Sequence, residues 1–268
     1  MILQIVLVIV TAVKVNSQQL CPSVCQCYND QANCTNLFSD VIYVRHHRFH
    51  SGLKELRVTG NTRLELEADL FLGWNITSLT FLDLSRNNIT KIWQQAFYSL
   101  LYLQKLNLSC NSITTLDSKT FSYNKHLFWL SVAKNNISDL HPSTFNNNKL
   151  RLIFMSGNTI TSLHPDMFKN SLELEWVDFS HNNITDVHPS TFRNNKFLRH
   201  LDMSRNKIIS IQKGIFIHSL EWIDLNGNNI TDVHPSTYEN NNRLMYLNMS
   251  GNIIKSIEPD TLIHNKAL

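Results

Sequence analysis

Six large rings, Phe81, Trp129, Phe154, Trp176, Trp222 and Tyr246, and four carboxylates, Asp83, Asp178, Asp202 and Asp224, recur at set places along this chain of 268 residues. Each aspartate stands two residues after Phe81, Trp176, His200 or Trp222. Rings of this size supply apolar anchoring, and carboxylates pair with cations; together they are the chemistry of non-covalent recognition. Covalent chemistry lacks its usual parts. There is no strand-to-helix nucleophile elbow, no glycine-rich phosphate loop and no H-E-x-x-H, and glycines number only seven. The sequence therefore reads as a binding protein and not an enzyme, with no cofactor and no metal assigned.

The elements that must position these residues come from a repeat. Residues Leu174 to Ile184 read LEWVDFSHNNI, which is L-x-x-L-x-L-x-x-N-x-I with Val177 and Phe179 in leucine places. The same frame starts at Leu53, Leu79, Leu103, Leu127, Leu150, Leu174, Leu198, Leu220 and Leu244. Copies about two dozen residues apart predict a solenoid, in which each unit packs only on its neighbours. Alternation within the frame puts the leucines on one face of a short strand and the intervening residues on the other. Stacked copies then form a parallel sheet with strands about 4.8 Å apart.

The rings and aspartates fall on the face that the leucines leave free. The third frame position holds Glu55, Phe81, Lys105, Trp129, Leu152, Trp176, His200, Trp222 and Tyr246, and the fifth holds Phe154 and the four aspartates, with Asn107 and Asn248. An aromatic file beside an acidic one on an uncovered sheet suits a protein ligand whose surface is basic and partly apolar. The competing reading of the aspartates is structural, a feature of the repeat itself. Later in each unit an apolar column (Leu116, Leu140, Leu163, Val187, Ile211, Val233, Ile257) and an aromatic column (Phe71, Phe97, Phe121, Phe145, Phe168, Phe192, Phe216, Tyr238) predict the core. Asparagines at Asn61, Asn87, Asn111, Asn135, Asn158, Asn182, Asn206, Asn228 and Asn252 hold one frame position. An amide has both donor and acceptor, so this column predicts a structural ladder for backbone groups that no strand reaches.

Cys21, Cys25, Cys27 and Cys34 form C-x3-C-x-C-x6-C ahead of the array. They read as a disulfide knot rather than a zinc site, since the usual C-x2-C pairs are missing. The knot would cover the first repeat, which has no preceding neighbour. Sequence alone leaves three pairings open. With the repeat frame, this segment resembles the N-terminal cysteine-rich flank of extracellular leucine-rich repeat proteins, such as adhesion proteins, guidance factors of the Slit type and Toll-like receptor ectodomains. The resemblance implies Cys21 paired with Cys27, Cys25 with Cys34, and an asparagine ladder. It runs from about Cys21 to the end. The family's C-terminal cysteine cap is missing and Leu268 opens a would-be tenth repeat, so a fragment of a longer product is expected.

The predicted fold is thus an α/β leucine-rich repeat solenoid, a horseshoe with a parallel β-sheet on its concave face and short helical or irregular outer segments. Its organisation is a signal peptide over 1–17, a cysteine-rich cap over 18–52 and nine repeats over 53–268. Ile2 to Val13 are almost wholly apolar, shorter than the roughly 20 residues of a membrane span, with Val15, Asn16 and Ser17 behind them. An uncleaved anchor is the competing reading of that run. No second apolar stretch exists, so a secreted or cell-surface location is expected. Net charge of +3 with 17% charged residues is too mild for a polyanion binder, and the basic cluster from Arg45 to Arg48 reads as a solvated loop. Nucleic acid is therefore not the first choice of partner; a receptor for microbial polymers, nucleic acid or glycan, is the rival reading.

Sequons at Asn33, Asn75, Asn88, Asn107, Asn136, Asn183, Asn229 and Asn248 predict surface glycans on an exported chain, Asn33 less so beside Cys34. Asn88, Asn136, Asn183 and Asn229 share one frame position and would screen one flank. Asn107 and Asn248 lie on the sheet face; sugar on both would leave Trp129 to Trp222 as the contact zone. Cys110 has no partner and reads as exposed, either a free thiol or a bridge to a second chain. The motif V-H-P-S-T-F and its relatives bring His141, His164 and His188 into a file, either a metal or pH site or a repeated loop column. Their prolines suit the first turn of a short outer helix.

Overall fold

The computed structural model describes residues 21–36, 48–62, 64–146, 148–216 and 220–268. The expected signal peptide and most of the basic cluster lie outside the described residues. A hairpin, β1 (Cys25–Tyr28) and β2 (Gln31–Thr35), opens the chain. Nine sheet-face strands follow: β3 (Glu55–Thr59), β4 (Phe81–Asp83), β5 (Lys105–Asn107), β7 (Trp129–Ser131), β9 (Leu152–Phe154), β10 (Trp176–Asp178), β11 (His200–Asp202), β13 (Trp222–Asp224) and β15 (Tyr246–Asn248). They stack in chain order in one 11-stranded sheet with the hairpin at its edge. Strands from β2 onward are parallel and in register, as where Trp176 faces His200 and Asp178 faces Asp202.

The chain forms strands this short because each copy needs only three residues to present one leucine-type side chain inward. Leu82, Leu106, Leu130, Ile153, Val177, Leu201 and Ile223 are all buried at the strand centres. Directly after each strand the backbone turns inward through a left-handed residue at the eighth frame position. Arg86, Cys110, Lys134, His181 and Arg205 have φ of 59°, 56°, 55°, 54° and 52° there, and Gly157, Gly227 and Gly251 have 67°. Glycine relieves the strain of that corner, where other residues pay for it.

The asparagine that follows the corner performs the expected ladder role. Asn182 Nδ2 donates to the carbonyls of Met155 in the preceding repeat and Phe179 in its own, while its Oδ1 accepts from the Ile160 amide at 3.0 Å. Asn111, Asn135, Asn158, Asn206 and Asn228 repeat this geometry. Behind them the aromatic column stacks ring on ring, with Phe145, Phe168 and Phe192 spaced 5.7 and 5.6 Å. The apolar column is buried from Leu116 to Val233, partly in small parallel pairs: β6 (Thr115–Leu116) with β8 (Asp139–Leu140), and β12 (Ser210–Ile211) with β14 (Asp232–Val233); Ile257, expected in the same column, is exposed.

The outer side is more irregular than the prolines suggested. One four-residue helix, α1 (Leu70–Gly73), and a 3-10 turn at Pro259–Leu262 are the only helical segments among the described residues. At Pro142, Pro165, Pro189 and Pro235 the chain makes successive short turns instead: the amides of Thr144, Met167, Thr191 and Thr237 bond three residues back, and those of Asn146, Lys169, Arg193 and Glu239 do so again two residues on. Too few residues separate the apolar and aromatic columns for a helix to propagate past its nucleus.

The cap works as an extra strand pair. Disulfides join Cys21 to Cys27 and Cys25 to Cys34, the pairing that the resemblance implied. Within β1 and β2, Cys25 lies opposite Cys34, and β2 then pairs with β3 over five residues. Cys34 and Ala32 are buried against the first repeat, so the hairpin closes a sheet edge that would otherwise offer unpaired backbone groups.

Candidate recognition surface

The third-position side chains emerge on the open side of the sheet, as expected, but they cover one another. Trp222 and Tyr246 are stacked, 4.9 Å apart and 6° from parallel, and Trp176 lies on His200 at 4.4 Å and 10°. His200 continues to Trp222 at 6.4 Å. On the other side of Trp176, Phe154 bridges to it at 6.3 Å and to Trp129 at 5.7 Å. Phe154 belongs to the fifth frame position, and it reaches across because its neighbour in register is the small Ser131. Six rings thus form one row from β7 to β15. Trp129, Phe154, His200 and Trp222 are half-buried, and Trp176 and Tyr246 retain 36% and 39% of their exposure. Their faces are largely spent on each other, which leaves edges for a partner.

The N-terminal end of the face is different. The Arg57 guanidinium sits 4.5 Å over the Phe81 ring and 3.5 Å from Asp83. Phe81 and Asp83, both expected as binding residues, are therefore already engaged within the chain. The signal was Arg57 itself, a fifth-position cation diagonal to Phe81 in the next strand, a contact the repeat register could have supplied. Lys105 then interrupts the rings between Phe81 and Trp129.

The aspartates have a structural duty and a residual charge. One oxygen of Asp83, Asp178, Asp202 and Asp224 accepts the amide two residues ahead, from Ser85, Ser180, Ser204 and Asn226, at 2.8–2.9 Å. Asn107 and Asn248 do the same for Ser109 and Ser250, so an uncharged amide suffices for that turn. Asp224 is buried and its second oxygen accepts from Asn248 Nδ2 at 3.2 Å. Asp178 and Asp202 are half-buried, and no cation among the described residues pairs with either. Burial pushes the Asp202 carboxyl above its ordinary range, and the charges of Asp178 and Asp224 add to this against the Ser204 hydrogen bonds. His200 is lowered by burial, and Arg199 lowers it further while Glu221 opposes.

Of the remaining sequence expectations, the histidine file resolves into a turn device. Nδ1 of His141, His164, His188 and His234 accepts the amide two residues on, each at 3.1 Å, the place that the Asp117 carboxylate fills for Lys119. No group of three or more metal-ligating side chains occurs among the described residues. Cys110 is free but half-buried rather than exposed, although its backbone forms the same left-handed corner at which Arg86, Lys134, His181 and Arg205 are exposed. Among the sequons, Asn75, Asn88, Asn136 and Asn229 are exposed, while Asn107, Asn183 and Asn248 are half-buried.

Sequence reasoning missed a second amide ladder on the outer side. Asn124, Asn195 and Asn265 each donate to two carbonyls of the preceding repeat, as where Asn195 reaches Phe168 at 3.0 Å and Ser171 at 2.8 Å. The signal was present as an asparagine three places after Phe121 and Phe192 of the aromatic column, and after Leu262 at the same place in the last repeat.

The leucine rich repeat family profile matches residues 77–137, 125–184, 172–219 and 218–268. No curated protein sequence matches the chain. Among solved structures it is similar to a chain of the octameric complex of Latrophilin 3, Unc5D and FLRT2, with TM-score 0.76 and 20% identity over 92% of this chain and 82% of that one. It is similar to a chain of the Drosophila Toll–Spatzle complex, with TM-score 0.63 and 22% identity over 79% of this chain and 31% of that one. The TLR13–ssRNA13 complex gives TM-score 0.63 and 24% identity, covering 81% and 39%. The chain thus spans about a third of the Toll and TLR13 chains. Identities this low show the fold alone.

Proposed function

Since the chain belongs to the leucine-rich repeat family, we propose that it recognises another protein outside the cell through the concave sheet, with the face from β7 to β15 as the contact surface. The observation that carries this reading is the unbroken row of six rings on a sheet that no other described segment covers. A water-facing row of this size is costly unless a partner removes it from water. The disulfide cap supports an oxidising, extracellular setting. No helix among the described residues is long and apolar enough to cross a membrane. The surface offers rings and capped carboxylates, a set suited to binding rather than to catalysis.

Affinity capture from extracellular fluid tests this. A protein retained by the wild type and by Tyr123→Ala, a control on the outer side, is expected to be lost with Trp176→Ala. Equal retention by all three ends the concave-face reading.

A second reading follows from the neighbour that is a complex with single-stranded RNA: a fragment of a pattern-recognition receptor for microbial polymers. The unpaired charges of Asp178 and Asp202 disfavour a polyanion at the ring row. Binding of such a polymer is expected to fall steeply with added salt, whereas ring-dependent binding of a protein persists.

A further inference from the structure

We propose that the protein partner seats one arginine or lysine on Asp178 and Asp202, laying the stem of that side chain along the edges of the Trp176, His200 and Trp222 rings. This rests on the concave-face reading and narrows it to β10, β11 and β13 and to one chemistry.

The chain already neutralises several acids near this face. Asp83 has Arg57 at 3.5 Å, and the sheet-edge acids Glu175 and Glu221 have Arg151 at 2.6 Å and Arg199 at 3.5 Å. Asp224 has the Asn248 amide. Asp178 and Asp202 face each other in register on adjacent parallel strands, and among the described residues only their own turns satisfy them. Two like charges held side by side without a counter-ion repel. The turn does not need them charged, as Asn107 and Asn248 demonstrate at the same frame position. A cation from outside supplies what the fold leaves out. Arginine and lysine also match the rest of the surface: both lay an apolar stem on apolar surface while the head reaches a carboxylate, and Trp176, His200 and Trp222 stand two residues before Asp178, Asp202 and Asp224 on the same three strands.

The pH dependence has one sign. Asp202 is faced by Asp178 from β10 and Asp224 from β13, with His200 on its own strand and Arg199 held by Glu221. Acidification charges His200 and protonates the Asp202 carboxyl, which burial raises above its ordinary range. Both changes oppose a bound cation, so affinity falls as pH falls, starting above the ordinary carboxylate range.

Short randomised peptides displayed on phage, selected against the full disulfide-bonded chain, provide the test. Selected sequences are resynthesised and measured by calorimetry against wild type, Trp176→Ala and the double variant Asp178→Asn/Asp202→Asn, which keeps both turn caps. The expected result is enrichment of a basic residue next to apolar ones, with affinity lost about tenfold or more in the double variant and weakened progressively as the pH is lowered. Peptides that need Trp176 but are indifferent to the double variant overturn the cation seat and leave the concave-face reading standing. Peptides indifferent to both variants overturn the concave-face reading itself. Binding of an oligouridylate RNA that requires Trp176 overturns the basic-protein assignment as well.

Discussion

The imidazole of His200 lies flat on the indole of Trp176, with centroids 4.4 Å apart and planes 10° from parallel. A ring held this way is cut off from water on that face, and the charged imidazolium loses hydration that nothing on the sheet fully returns. Burial is accordingly the largest cause of its lowered pKa.

Proton NMR should find His200 titrating below the ordinary value of 6.5. Trp176→Ala is expected to move it back up by re-admitting water. Because the folded pKa lies below the unfolded one, the neutral ring adds to stability above the ordinary imidazole range, and that contribution is lost as pH falls through the folded value. A wild-type titration at or above 6.5 contradicts the burial argument.

The amide ladder makes a second prediction. Asn182→Ala removes one acceptor and one donor from the interior and strands the Ile160 amide and the Met155 and Phe179 carbonyls. At roughly 1–3 kcal/mol for a stranded buried group, the expected loss is about 3 kcal/mol in chemical denaturation. Asn195→Ala on the outer ladder strands two carbonyls and no amide, so its loss should be smaller. Equal losses would show that the two ladders are energetically alike.

Much of the molecule was legible because the repeat is a spacing. Once Leu174 and Leu198 are aligned, the register of Trp176 with His200 follows, and so do the core columns and Asn182. What the spacing did not carry was the behaviour of individual side chains. Phe154 joins the ring row from the wrong frame position because Ser131 beside it is small. Phe81 left the site because Arg57, in the preceding strand, folds over it. The prolines at Pro142 and Pro189 marked turn starts correctly but said nothing of how soon the turn would end. Repeat logic fixes backbone and register, and cross-strand sterics and charge then decide which surface residues remain free.

The cap yields a third prediction. The Cys25–Cys34 bridge ties the two strands that extend the sheet beyond β3. Cys25→Ser with Cys34→Ser is expected to cost about 2–3 kcal/mol and to raise amide exchange first at Lys54 and Glu55, whose amides donate to the Asp30 carbonyl in the turn of the hairpin. Exchange that rises instead at the far repeats would mean that the cap acts on the whole array and not on its edge.

The aspartate row separates a cap from a charge. Asp202 repels Asp178 and Asp224 on either side, yet its turn needs only an acceptor oxygen for the Ser204 amide. Asp202→Asn keeps the acceptor and removes the repulsion, so it should raise stability at pH 7 by roughly 0.5 kcal/mol, the scale of partly exposed charge pairs. Asp202→Ala removes the acceptor too and should lower stability by about 1 kcal/mol. The raised carboxyl fixes the sign with pH. In wild type its contribution is fully present below the unfolded carboxylate pKa and is lost as pH rises through the folded value. The advantage of Asp202→Asn over wild type should therefore vanish in acid. Thermal melts of the three proteins between pH 3 and pH 7 measure this, and an Asp202→Asn protein no more stable than wild type at pH 7 would mean that the row bears its charge without strain, taking away the reason to look for a cation from outside.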